Sequence, residues 1–351
     1  MGYYQKLIQL QEIYDHLEDR TSKTIFENRI DYCITKDKNA FVDSMFKLDR
    51  QYRCTEVEKR LKEIDVDGII IYGSGNDGKK TLQLLMDCGY SVNYFCESNK
   101  NKEGLIVNGL KVLSVDTVEK EYRNYLIILG SRIYGDEMYE ILRQKHFPEK
   151  FILHPELGIL VGECGWQYFD VFKPLKDEVF IDAGCWDGET INEFMKFSQQ
   201  NYEKVIAFEP LEEMCTKIQN RIRNEKWKNI ELINAATWNC KDKLSFAENT
   251  TGSRIDKNGK RTVRTIDIDS IVKKDRVTYI KMDVEGAELK ALEGAAKTIL
   301  KNQPRLAISL YHNTWDVIDI PYYILTLVPN YKFYIRHYTS EHWETVLYAY
   351  V

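Results

Sequence analysis

No CxxC pair occurs among the eight cysteines, which are scattered at wide spacings along 351 residues. That absence disfavours a zinc or iron–sulfur centre and suits a reducing compartment, where most of these cysteines serve as small core residues. A block of lysines or arginines is missing too. With 54 acidic residues against 49 basic ones the net charge is -5, so neither nucleic acid nor an anionic membrane is the expected partner. Long apolar runs are also lacking. The N-terminus, MGYYQKLIQLQEIYDHLEDR, alternates charged and apolar residues, and no later stretch nears the roughly eighteen uncharged apolar residues of a membrane helix. The expectation is a cytoplasmic protein without membrane insertion. Tandem repeats and low-complexity segments are absent as well.

Three regions follow one another in what is present. Residues 1–65 read as helical throughout, with apolar residues at three and four spacing in YYQKLIQLQEIYDHL and KNAFVDSMFKLD. No chemistry is visible there, and a helical cap or oligomer surface is expected. Residues 66–150 begin with a strand, a glycine loop, a helix and a second strand in VDGIIIYGSGNDGKKTLQLLMDCGYSVNYFCESN, and predict a small parallel α/β domain of Rossmann type. Residues 151–351 carry five apolar strands, EVFIDAG, KVIAFEP, IELINAA, VTYIKMD and RLAISLY, alternating with helical patterns. Two closing strands, YKFYIRHY and TVLYAYV, leave no room for a helix between them.

Each α/β region thus has a glycine loop after its first strand. In the earlier one Gly73, Gly75 and Gly78 fit GxGxxG, and Glu97 at the end of the next strand stands where a ribose-binding carboxylate would. Such a loop suits a nucleotide or nucleotide sugar, because backbone N–H groups at a helix start can approach a phosphate. It suits tight strand–helix packing without a ligand equally well. A hydride-transfer enzyme of the short-chain type would also want a Tyr-x-x-x-Lys pair after the loop, and the one match, Tyr32 to Lys36, precedes it.

The later loop has different chemistry. In FIDAGCWDGET the carboxylate of Asp182 ends the strand, followed by Gly184 and Gly188, where an anion-binding loop would avoid negative charge. A cationic ligand without phosphate fits better, and S-adenosylmethionine is one. Glu209, ending the next strand in AFEP, can accept hydrogen bonds from both hydroxyls of a ribose, and Asn234 and Ala236 after the third strand can line an adenine pocket.

Residues 179–351 resemble the FkbM-type methyltransferases, a branch of the S-adenosylmethionine-dependent class I enzymes. The resemblance rests on FIDAGCWDGET, AFEP, YIKMDVEGAELKALEGA and YHNTWD. It implies a seven-stranded doubly wound sheet with a reversed last strand, and methyl transfer to an oxygen, commonly on a sugar, polysaccharide or polyketide-like acceptor. Cys185 and Trp186 depart from the commoner wording of the family. Residues 66–150 resemble, more loosely, the nucleotide-binding-like domain at the head of some bacterial sugar-modifying enzymes.

The expected catalytic groups are Asp283 at the end of the fourth strand, Glu285 in the turn after it, and His312 after the fifth; Asp283 also serves the methionine end of the cofactor. His312 is slightly favoured as the base, since an unperturbed imidazole titrates near neutral pH. Glu288, in the first helical turn, reads chiefly as a cap. Nothing in the spacing of Asp283, Glu285 and His312 requires a metal. Two rival functions stand beside the O-methyltransferase: a nicotinamide-dependent sugar oxidoreductase or epimerase working from the first loop, and a non-catalytic nucleotide-binding module.

Overall fold

A computed structural model of the chain describes residues 3–62, 64–131, 134–153, 167–249, 252–255, 259–339 and 341–351. The first helices form where the three-and-four spacing of apolar residues predicts them. Helix α1 spans Tyr3–Asp15, and α2, Arg20–Thr35, opens where the Asp19 side chain accepts the Ser22 N–H at 2.7 Å. Left-handed Lys36 closes it, and α3 runs through Lys38–Leu61. The chain divides into two compact units, residues 1–42 with 166–351, and residues 43–165. Helices α1 and α2 therefore belong to the unit of the C-terminal sheet and are not a free-standing segment.

The unit of residues 43–165 contains β1 (Gly68–Tyr72), α4 (Asn76–Asp87), β2 (Tyr94–Glu97), β3 (Ile106–Val107), β4 (Leu110–Ser114), α5 (Val115–Glu121), β5 (Tyr125–Leu129), α6 (Gly135–Gln144) and β6 (Ile152–Leu153). Its sheet runs β3-β4-β2-β1-β5-β6, parallel throughout except at the β3–β4 hairpin. Both faces are covered, which is why these strands are apolar without alternation. Ile71, Phe95 and Ile128 pack on one side, and Ile70, Tyr72 and Ile127 on the other.

The larger unit continues with β7 (Glu178–Ala183), α7 (Glu189–Phe197), β8 (Tyr202–Phe208), α8 (Glu212–Asn224), β9 (Ile230–Ile233), β10 (Ala236–Thr237), β11 (Asp242–Asn249), β12 (Gly252–Ile255), β13 (Arg261–Ile266) and α9 (Ile268–Val272). It ends with β14 (Tyr279–Met282), α10 (Glu288–Glu293), α11 (Ala296–Asn302), β15 (Arg305–Ser309), α12 (Asp316–Leu327), β16 (Lys332–His337) and β17 (Thr345–Tyr350). The seven-stranded sheet runs β9-β8-β7-β14-β15-β17-β16, with β17 antiparallel to both its neighbours. The expected reversed last strand is present. A four-stranded second sheet, β10-β13-β11-β12, was not anticipated. Its apolar centre is small, with Phe246 and Val263 packed on Leu211, so its strands carry little hydrophobic signal.

The sequence change from β7 to β8 on one side and β14 on the other makes a topological switch point, where open α/β sheets leave a crevice at the strand ends. Below it lies an aromatic core in which Phe180 stacks on Phe194 at 4.2 Å between ring centres. The N-terminal helices close the far edge of the same sheet. Phe333 of β16 donates its N–H to His16 O at 2.8 Å and accepts the Glu18 N–H at 2.9 Å, which pairs an edge that would otherwise be open. Arg29 of α2 is buried and donates to Thr345 Oγ1 at 2.8 Å and to the His342 carbonyl at 2.7 Å. No helix among the described residues is long and apolar enough to cross a membrane.

These contacts generate a prediction. A chain begun at residue 152 should melt well below the full-length chain or aggregate, and Arg29→Met in the full chain should lose roughly 1–3 kcal/mol in urea titration through the polar groups it orphans. A fragment with the full chain's melting temperature would contradict this role of the N-terminal helices.

Candidate active site

The crevice is set by two loops, one leaving β7 and one leaving β14. Asp182 and Lys281 are register partners on these adjacent strands, and Lys281 Nζ lies 3.1 Å from Asp182 Oδ1 with both side chains buried. Burial raises the pKa of Asp182 against the pull of Lys281. Burial opposes the charge on Lys281 as well, but Asp182 and Asp283 hold its pKa up. The same ammonium donates to the Gly184 carbonyl at 2.6 Å. Asp182 thus already has a protein cation beside it, a partner that the sequence reading missed.

Gly184 is needed for a close approach between the loops. Its φ is +80°, and a Cβ there would stand 2.0 Å from the Asp283 carbonyl oxygen. Gly188, also left-handed, opens α7. Between them Trp186, exposed, donates its N–H to Glu209 Oε2 at 3.0 Å, and the Leu211 N–H donates to Oε1 at 2.9 Å. Each carboxylate oxygen of Glu209 therefore holds one backbone donor and keeps a lone pair for another. Burial at 3 % exposure raises its pKa to about 7 in spite of those two N–H groups.

Asn234 uses its side-chain amide N–H groups on the Glu209 and Pro210 carbonyls, both at 3.1 Å, and so fixes the turn that carries Glu209. Ala236 packs on the small core of Leu211, Phe246 and Val263. The structure thus gives both residues a place in the framework behind Glu209.

The acidic side of the crevice gathers from distant parts of the chain. Asp283 accepts the hydroxyl of Tyr168 at 2.9 Å on Oδ2 and that of Tyr311 at 3.1 Å on Oδ1. Tyr311 also faces Glu344 Oε1 at 3.3 Å, and Gln167 donates to Glu344 Oε2. Burial works against ionisation of Asp283, yet Lys281 and His312 keep its pKa below the ordinary value. Glu285 adopts φ +56°, is half-exposed, and has its pKa raised by burial. Glu288 is fully buried and caps its own loop, Oε1 accepting the Val284 N–H at 2.9 Å and the Gly286 N–H at 3.4 Å.

His312 brings this cluster together. Its Nδ1 lies 2.9 Å from Glu288 Oε1, and its Nε2 lies 3.4 Å from Glu285 Oε2 and 3.6 Å from Asp283 Oδ1. Burial disfavours the imidazolium, but Glu288, Asp283 and Glu285 outweigh it and raise the pKa to about 9. His312 is consequently a cation at neutral pH. The unperturbed titration assumed for a base in the sequence reading does not hold here.

In the other unit, Gly78 and Gly73 meet in a tight strand–helix contact, where a Cβ on Gly78 would stand 1.8 Å from Gly73 O. Gly75 differs: nothing lies within 4 Å of a Cβ built there. Glu97 Oε1 accepts the Ser74 N–H at 2.9 Å and Lys102 Nζ at 2.8 Å, so it is bonded to its own glycine loop. Tyr32 and Lys36 lie in the larger unit, where Lys36 donates to Thr314 Oγ1 at 2.9 Å.

The strand order, with the reversed β17 inserted before β16, defines a class I methyltransferase sheet. Residues 182–335 match the family model described as the methyltransferase FkbM domain. Among solved structures, the methyltransferase FkbM from Methylobacillus flagellatus KT is 20% identical with a TM-score of 0.43, covering 88% of this chain and 99% of that one. An rRNA methylase from Streptococcus thermophilus is 18% identical over 50% of this chain and 87% of its own, with a TM-score of 0.35. Aeropyrum pernix fibrillarin, solved with natively bound S-adenosyl-L-methionine, is 10% identical over 50% of this chain and 67% of its own, with a TM-score of 0.32. No curated protein matches the chain.

The raised pKa of His312 has a consequence for stability. A folded-state value of about 9 against an unfolded 6.5 means that its ionised contacts contribute fully below about pH 6.5 and are lost as the pH rises through 9. The stability gap between the parent and His312→Gln, on the order of 3 kcal/mol from the size of that shift, should therefore be widest near pH 6 and shrink by pH 9.5. Urea denaturation at both pH values measures it; a gap that does not change would contradict the charged assignment.

Proposed function

We propose that the larger unit is an S-adenosylmethionine-dependent O-methyltransferase whose acceptor is a sugar, a nucleotide sugar, or a related polysaccharide or secondary metabolite. The observation that carries the cofactor reading is Glu209: a buried carboxylate at the end of β8, each oxygen fixed by one backbone N–H and each free to accept one ribose hydroxyl. Asp182 is neutralised by Lys281, so Asp283 is the carboxylate left for the methionine ammonium. Gly184 lets the two loops close under that end of the ligand.

Methyl transfer is an in-line displacement. The acceptor oxygen forms a bond to the methyl carbon as the carbon–sulfur bond breaks, the sulfur leaves as a neutral thioether, and the hydroxyl proton must pass to a base. Alignment supplies much of the rate, and a base adds roughly 10²–10⁴-fold. His312 is the base in this reading once it has lost its own proton, with Glu288 orienting the ring through Nδ1. Turnover should then rise with pH towards about 9. Glu285, whose pKa is raised, is the alternative base beside the same ring nitrogen. The hydroxyls of Tyr168 and Tyr311 and the carboxylate of Glu344 offer a hydroxyl-rich acceptor several donors and acceptors.

S-adenosylhomocysteine should raise the melting temperature of the full chain, and Glu209→Gln should weaken its binding roughly 10–100-fold, since each hydrogen bond to a charged group is worth about 1.5–3 kcal/mol. Affinity should also fall as the pH is lowered through about 7, where Glu209 takes up a proton. Calorimetry on both proteins at two pH values tests this. Tight NAD binding with no response to S-adenosylhomocysteine would overturn the methyltransferase reading.

The other unit is proposed as the binding site of a nucleotide or nucleotide sugar, on the strength of the open backbone at Gly75 before α4. ATP, NAD or UDP-glucose should then stabilise the full chain, and Gly75→Val should remove that effect while leaving the response to S-adenosylhomocysteine intact. No shift with any of the three would leave the loop as packing alone.

A further inference from the structure

We propose that Asp283, Glu288 and His312 bind a divalent transition-metal ion. One ligand atom of each lies within 4.8 Å of the other two. The donor set, two carboxylate oxygens and an imidazole nitrogen, suits ions such as Mn2+ or Zn2+.

An independent observation points to the missing ligand. Glu288 is fully buried, yet only Oε1 has donors; Oε2 has no hydrogen-bond partner. A buried carboxylate oxygen without a partner is costly, and native structures leave few of them. The imidazole Nδ1 lies 2.9 Å from Glu288 Oε1, which leaves Nε2 as the ring atom that can face an ion. On the other side of the ring, Nε2 stands 3.6 Å from Asp283 Oδ1. That is longer than an N–H···O bond but close to the roughly 3.0–3.5 Å that separates neighbouring ligands around an ion with metal–ligand bonds of about 2.0–2.2 Å.

The outer support of such a site is also in place. Tyr168 and Tyr311 donate to the two oxygens of Asp283, and the Val284 and Gly286 N–H groups orient Glu288. Outer partners of this kind hold first-shell ligands in register for an ion. Glu285, on the exposed side, lies outside this set, with Oε2 3.4 Å from His312 Nε2.

The site stands on this geometry alone, whereas its use rests on the proposed methyl transfer. With an ion bound, His312 and Asp283 would be its ligands in place of base and ammonium partner, and the ion would hold the acceptor oxygen and lower the pKa of its hydroxyl, with Glu285 left as the base.

The test uses the full chain after treatment with chelator, titrated with Mn2+ and with Zn2+ by calorimetry, and with Mn2+ by electron paramagnetic resonance. One saturable site per chain is expected, weakened at least tenfold in His312→Gln and in Asp283→Asn. Glu225→Gln, at the exposed end of α8, should bind as the parent does. Circular dichroism confirms that each variant is folded, and the two ligand variants fail independently of one another. Absence of saturable binding at millimolar ion, or unchanged binding in both ligand variants, would overturn the proposal. S-adenosylhomocysteine is titrated in parallel: its binding without ion binding sinks the metal site alone, and ion binding without it sinks the cofactor reading alone.

Discussion

The pair of Asp182 and Lys281 is the contact from which the crevice is built. It sits between two central strands that are apolar on both faces, so little else in the local sequence distinguishes one register from the next. Burying two charges gains little net free energy, but removing one partner strands the other, at roughly 3–5 kcal/mol. The pair therefore acts less as a source of stability than as a marker of alignment. Because the same Lys281 also donates to the Gly184 carbonyl, alignment of the strands sets the first turn beyond them.

From that turn the geometry passes outward by contact. Gly184 has no Cβ, so the Asp283 carbonyl can lie against it, and the β14 loop is brought under the β7 loop. Asp283 is then within reach of two tyrosines from elsewhere in the chain, and Glu288 folds back to cap its own loop and meet His312. The negative charge of the cluster is compensated by two cations, Lys281 inside and His312 outside. This division explains why Asp283 stays ionised although burial opposes it. The N-terminal helix α2 reaches the same region from behind: Arg29 fixes Thr345 and the His342 carbonyl, and the Cys33 thiol meets the Thr314 carbonyl at 2.6 Å, so the segments flanking the acidic cluster are tied to α2.

How much of this could be read in the sequence depends on the range of each interaction. The strand ends at Asp182, Glu209 and Asp283 were legible because successive βα units repeat one local pattern and the crevice follows from topology. Lys281 had a signal, a lysine inside an apolar strand, whose meaning depended on knowing that β14 lies beside β7. Tyr168 and Glu344 had none; Tyr168 lies 115 residues from the Asp283 it bonds. The titration of His312 was misjudged for the same reason, since its carboxylate neighbours sit in a loop some two dozen residues earlier and act only through folding. The β10–β13 sheet was missed because its buried apolar centre is confined to a few residues, Phe246 and Val263 among them, which leaves a weak apolar period.

The two glycine loops show how similar local sequences diverge once their carboxylates are placed. In the smaller unit the acid at the end of the second strand, Glu97, turns back onto its own loop through Ser74 and is matched by Lys102. In the larger unit the corresponding acid, Glu209, also takes an N–H from the preceding glycine loop, that of Trp186, but no lysine or arginine bonds to it among the described residues. Glu97 is thereby held ionised, with its pKa lowered by Lys102 and Ser74 against burial, whereas burial raises Glu209 to about 7. A carboxylate left without a cation in a buried place gains most from a ligand that brings hydrogen-bond donors. That difference, more than the glycines themselves, separates the two loops: Glu209 keeps acceptor capacity for a ligand's donors, whereas in the smaller unit the backbone at Gly75, not the carboxylate, is what stays open.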